Sequence, residues 1–124
     1  MMADAMLVAI VDDDESLRQS LPALVGKFGF RVRAFTSAEE FLASDCVDQT
    51  KCLILDVAMP VMSGPDLQRE LSRRGQRIPI IFITGRPDQD LRRQLLAEGA
   101  VECLSKPFSA AALREALNTA LGVI

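Results

Sequence analysis

Five short apolar runs, each followed by a stretch whose apolar residues recur every three or four positions, leave this chain few architectures to choose from. Met6 to Val11, Cys52 to Leu55 and Pro79 to Thr84 are almost unbroken in apolar character, as expected of strands covered on both faces. Phe30 to Phe35 alternates apolar with polar residues, which suits an edge strand, and Ala100 to Leu104 is a short fifth run. Between and after them, Leu17, Leu21, Leu24, Val25 and Phe28 open a series of stripes with helical spacing that ends with Leu113, Leu117 and Leu121. Strand and helix in strict alternation imply βα units with right-handed crossovers. The expected fold is therefore α/β, a doubly wound parallel sheet of five strands with helices on both faces.

Local signals agree with that pattern. Gly29 and Gly99 are placed to stop helices, and Asp88 and Ser109 to start them. Ser37-Ala38-Glu39-Glu40 has the spacing of a capping box, and Pro65 suits the first turn of the helix carrying Leu67 and Leu71. Pro22 falls inside the first helical stripe, where its missing N–H should either kink the helix or shift its start. Pro87 should stiffen the loop before the fourth helix, and the polar stretch from Ser44 to Lys51 is expected to link the second helix to the central strand. Ser72 to Arg77 puts positive charge at a helix C-terminus, favourable for the helix dipole. A basic nucleic-acid patch is the alternative reading, but no aromatic residues are interleaved with it.

Size and composition narrow the function. The 124 residues are expected to form one domain spanning 1–124. No apolar run approaches the ~20 residues needed to cross a bilayer, and no leader is visible, so the cytoplasm is the expected compartment and no membrane is an expected partner. Cys46, Cys52 and Cys103 lack a CxxC spacing, and with no histidine in the chain a structural zinc site is not expected. Packed, reduced thiols are the plainer reading. Seventeen acidic against fourteen basic residues, a net charge of -3, argue against direct nucleic-acid binding. The missing histidine also removes the commonest general base, so any phosphohistidine donor must be on another protein.

The expected site lies where strands end, since ligands of open α/β sheets bind beyond the carboxyl ends of the strands. Asp12 and Asp13 follow the first strand, Asp56 the third, Thr84 closes the fourth and Lys106 follows the fifth. Three carboxylates brought into one cleft would raise each other's pKa unless a cation joined them. Oxygen ligands without His or Cys point to Mg²⁺. Lys106 then serves as a point charge on a phosphate oxygen, Thr84 as a hydroxyl donor and Asp56 as the carboxylate nucleophile. An isolated strand-end Asp would more simply cap a turn. The company of the other four is what turns the reading toward phosphoryl chemistry.

In these motifs the chain resembles the response-regulator receiver domains of two-component signalling, in particular the FixJ/NarL type. The resemblance runs from Val8-Ala9-Ile10-Val11-Asp12-Asp13 through Leu55-Asp56-Val57-Ala58-Met59-Pro60-Val61-Met62-Ser63-Gly64 to Ile83-Thr84-Gly85 and Ser105-Lys106-Pro107-Phe108. It implies a flavodoxin-like sheet in the order 2-1-3-4-5, with Asp56 receiving a phosphoryl group from a sensor histidine kinase or a phosphotransfer protein. By the same resemblance Asp13, Asp56 and the backbone carbonyl of Ala58 ligate Mg²⁺ and Asp12 acts mainly through water. Thr84 and Lys106 contact the phosphoryl group, and Lys106-Pro107 is cis. Asp14 is expected at the start of the first helix. The output surface would be the fourth helix, fifth strand and fifth helix, often a homodimer interface. Such a domain is no conventional enzyme, since it catalyses only its own phosphorylation and dephosphorylation.

The pattern is broken in one place. The family's aromatic three residues before the lysine is here Cys103, too small for a ring-flipping switch. Arg86 and Ala58 flank the expected path of attacking water. Two other readings follow from these residues: a receiver-like interaction module that acts without phosphorylation, and a Mg²⁺ phosphatase with an aspartyl intermediate. The second is weakened by Ala58, which stands where such enzymes carry an acid/base Asp.

Overall fold

The computed structural model describes residues 5–86 and 88–122. In chain order the elements are β1 (Leu7–Val11), α1 (Glu15–Lys27), β2 (Arg31–Phe35), α2 (Ala38–Ala43), β3 (Thr50–Asp56), α3 (Gly64–Arg73), β4 (Ile80–Thr84), α4 (Gln89–Ala97), β5 (Glu102–Ser105) and α5 (Ala110–Leu121). The strands form one parallel sheet in the order β2-β1-β3-β4-β5, with the alternating strand β2 at an edge as expected.

Alternate residues of each central strand feed two separate cores. Ala9, Val11, Leu53, Leu55 and Phe82 face the side covered by α2, α3 and α4, where Phe41, Leu67, Leu71 and Leu95 close over them. Val8, Ile10, Ile54, Ile81 and Ile83 face the side covered by α1 and α5, against Leu21, Val25, Leu113 and Leu117. Burial on both faces explains why these strands read as continuous apolar runs rather than as an alternation.

Element boundaries depart from the sequence reading in a few places, each with a visible cause. Glu40 closes its capping bond one residue further back than expected: its Oε1 accepts from Thr36 N at 2.9 Å while Ser37 Oγ accepts from Glu40 N at 3.1 Å. The link after α2 contains a single 3-10 turn, Val47–Gln49, and β3 begins at Thr50, whose hydroxyl donates to the Cys46 carbonyl at 2.8 Å. β5 starts at Glu102 rather than Ala100, because the Ala100 N–H is spent closing the end of α4 on the Leu95 carbonyl (3.0 Å). Pro22 does not shift the start of α1, which is capped by Asp14, and it is accommodated within the helix. The expectation for Pro87 lies outside the described residues.

Candidate functional site

Parallel pairing is what gathers the site. Val11 lies beside Leu55, Asp56 beside Ile83, and Thr84 beside Ser105, so the residues at or just past these strand ends share one edge of the sheet. Asp12 is fully buried and Asp56 is 5% exposed, whereas Asp13 is exposed. Carboxylate oxygens of Asp12, Asp13 and Asp56 all lie within 4.8 Å of one another. Lys106 reaches in from beyond β5, its amide donating to the Thr84 carbonyl at 2.8 Å. Its Nζ stands 3.5 Å from Asp12 Oδ2 and 3.7 Å from Asp56 Oδ1.

One amine does not balance three acids. Burial, and then the neighbouring Asp12 charge, push the Asp56 carboxyl up from 3.8 to about 7, with Lys106 opposing the rise. Asp12 Oδ1 accepts from Asp14 N at 2.8 Å, but its buried Oδ2 receives no hydrogen bond among the described residues, with the Lys106 amine 3.5 Å away. An unmet buried oxygen, two further carboxylates within reach and no nitrogen or sulfur donor fit a small, hard divalent cation.

The other expected residues fall into place unevenly. Asp14 caps α1, accepting from Ser16 N at 2.9 Å, as expected. Thr84 closes β4, but its hydroxyl is held within its own loop: Oγ1 donates to the Arg86 carbonyl at 3.2 Å and accepts from Arg86 N at 3.1 Å. Ala58 is exposed in the loop after β3, just past a bond from Gly64 N to the Val57 carbonyl at 2.9 Å. The Lys106-Pro107 bond is cis. Cys103 is buried beside Phe82, and burial raises its thiol, as it raises that of Cys52 to about 12. Both thiols are thereby held in the unreactive form. In the basic stretch at the end of α3, Arg73 and Arg74 both bond Glu70, at 3.0 and 2.7 Å, so one carboxylate offsets part of their charge.

Two residues that matter to the site escaped the sequence reading. Gly64 is packed so tightly under the acceptor loop that a Cβ there would lie 2.4 Å from the Asp56 carbonyl oxygen. Only its place in the Met-Pro-x-x-x-Gly loop hinted at this. Arg18, on α1, donates from Nη1 to the Asp12 carbonyl at 3.0 Å, and a single arginine in a helical stripe gave no signal.

A family model described as "Response regulator receiver domain" matches residues 8–118. The chain belongs to the response-regulator receiver family. This receiver is 44% identical to the response regulator protein TmoT of Ectopseudomonas mendocina over 115 residues, covering 93% of this chain and 52% of TmoT. With the transcriptional regulatory protein FixJ of Azorhizobium caulinodans it shares 36% identity over 121 residues, 98% of this chain and 57% of FixJ. The crystal structure of FixJ-N superposes with a TM-score of 0.85 at 37% identity, covering 99% of this receiver and 98% of that chain. The receiver spans about half the length of the curated relatives it matches. It is thus a response-regulator receiver of two-component signalling with a flavodoxin-like fold and bacterial relatives, in a family whose members interact with sensor kinases and output domains. Among the described residues no helix is long and apolar enough to cross a membrane.

Proposed function

We propose that this receiver accepts a phosphoryl group on Asp56 from the phosphohistidine of a sensor histidine kinase or a phosphotransfer protein. The observation that carries the reading is the convergence of three carboxylates within 4.8 Å with the Lys106 amine opposite. A carboxylate oxygen of Asp56 forms the new P–O bond as the P–N bond to the donor imidazole breaks, and hydrolysis later returns inorganic phosphate. Lys106 holds one phosphoryl oxygen as a point charge and lowers the proton affinity of Asp56. Asp13, Asp56 and the Ala58 carbonyl would hold Mg²⁺ directly, with Asp12 acting through water. When bound, that ion neutralises charge on the carboxylates and the phosphoryl oxygens, the main demand of phosphoryl transfer.

Thr84 gives the event a structural consequence. Its hydroxyl must give up the bond it donates to the Arg86 carbonyl in order to donate to a phosphoryl oxygen, and the β4–α4 loop then loses that tie and can settle anew. The change would pass to the α4-β5-α5 surface, to control an output domain or partner, or a homodimer, and this domain would not itself touch nucleic acid. Beside Lys106, an apolar groove of about 530 Å³ lined by Leu17, Leu21, Leu24, Pro107 and Phe108 is open to the donor. The test is Mg²⁺-dependent labelling by a small phosphodonor or a phosphorylated kinase, abolished in Asp56→Asn. Cys103 at the switch position favours one alternative, an interaction module that works without phosphorylation, and labelling that fails with Mg²⁺ bound would select it.

A further inference from the structure

We infer that Arg18 is a positioning residue for the acidic half of the site: its guanidinium, donating to the Asp12 backbone carbonyl, sets the Asp12-Asp13 peptide so that both carboxylates face Asp56. The inference rests on the reading of the acid cluster as a Mg²⁺ site. Asp12 lies just past the last paired residue of β1, where the ladder no longer supplies a donor to its carbonyl. Its N–H still donates to the Phe35 carbonyl at 3.2 Å, and its Oδ1 takes the Asp14 N–H at 2.8 Å. Its carbonyl, in a fully buried residue, has one partner among the described residues, Arg18 Nη1 at 3.0 Å.

That bond is placed to act on geometry rather than on charge. Among the described residues Arg18 forms no ion pair with any of the acids, whereas Lys106 approaches two of them. Without the guanidinium, the buried carbonyl must turn toward another donor, because leaving it unmet is costly. Turning it rotates the following peptide, which carries Asp13. The side chain can hold this post because Arg18 is half-buried on α1, and the helix start is itself fixed by the Asp14 cap. Supporting partners of this kind, which orient ligands without touching the ion, typically govern metal affinity by ~10-fold or more. Charge alone would act in the opposite direction, since removing a nearby cation would tighten Mg²⁺ binding.

The two effects are separated by titrating Mg²⁺ calorimetrically into wild type, Arg18→Met and Arg18→Lys, with melting in chelator by far-UV circular dichroism alongside. Met keeps the aliphatic stem and loses every donor, while Lys keeps charge and a donor but not the planar fork. Expected is Mg²⁺ affinity about tenfold weaker in Arg18→Met, and about threefold weaker in Arg18→Lys. Melting in chelator should stay within a few degrees of wild type, a separation that a merely structural residue would not produce. Unchanged or tighter binding by a folded Arg18→Met overturns the inference. Should that variant not fold, Arg18→Leu, which likewise lacks every donor, decides in its place, weaker binding supporting the inference and wild-type or tighter affinity overturning it. A wild-type protein that binds no Mg²⁺ overturns the underlying reading of the site and this inference with it.

Discussion

Replacing Asp56 by asparagine should make the metal-free protein more stable, and increasingly so as the pH rises. Folded Asp56 holds its proton up to about pH 7, whereas the unfolded residue releases it near 3.8. Between those values the folded state binds more protons than the unfolded one, so its stability falls with rising pH. Carrying both titrations through gives a deficit of about 2 kcal/mol at pH 5 and about 4 kcal/mol at pH 8. Asp12, Asp13 and Lys106 lie against Asp56 and feel its replacement, so the effects do not strictly add, and the gap between wild type and Asp56→Asn should widen with pH by up to about 2–3 kcal/mol across that interval. With no Trp or Tyr in the chain, urea unfolding is best followed by far-UV circular dichroism, in chelator. Adding Mg²⁺ should close most of the gap for wild type alone. Parallel curves for the two proteins from pH 5 to pH 8 in chelator would refute the account of an uncompensated acid cluster.

Three other outcomes follow from single positions. Gly64→Ala forces a Cβ to 2.4 Å from the Asp56 carbonyl and 2.9 Å from the Phe82 ring, so unfolding should shift down by about 1–3 kcal/mol in a urea titration. Val61 is 93% exposed with φ of 69°, a strained setting for a β-branched residue, and Val61→Gly should raise stability by about 0.5–1 kcal/mol in the same titration. Arg86→Ala keeps the backbone bonds to the Thr84 hydroxyl and should change the lifetime of the phosphorylated protein, followed by loss of label after donor removal, if its side chain flanks the route of attacking water as the family resemblance implies.

Much of this molecule is written in local pattern, and what is not written there depends on contacts between distant segments. The strands β1, β3 and β4 were legible because burial on both faces leaves a continuous apolar run, and β2 because an edge leaves an alternation. The acids, the threonine and the lysine could be placed together because each stands at a strand end and parallel strands end on one side. Arg18 could not, since its partner is a backbone carbonyl and a backbone has no sequence signature. The Thr84 hydroxyl's turn toward Arg86 was equally hidden, for it is settled by loop geometry. The start of β5 lies two residues later than the apolar run because the Ala100 amide is used to close α4, which composition does not record.

The Lys106 amide is docked on the Thr84 carbonyl, and its amine stands between acids contributed much earlier in the chain, after β1 and at the end of β3. During synthesis, every segment up to α4 can emerge while the three carboxylates still lack their ammonium counter-charge. Completion of the pocket therefore reports that the last strand has docked, and a chain interrupted before it carries an acidic notch with nothing to hold an anion.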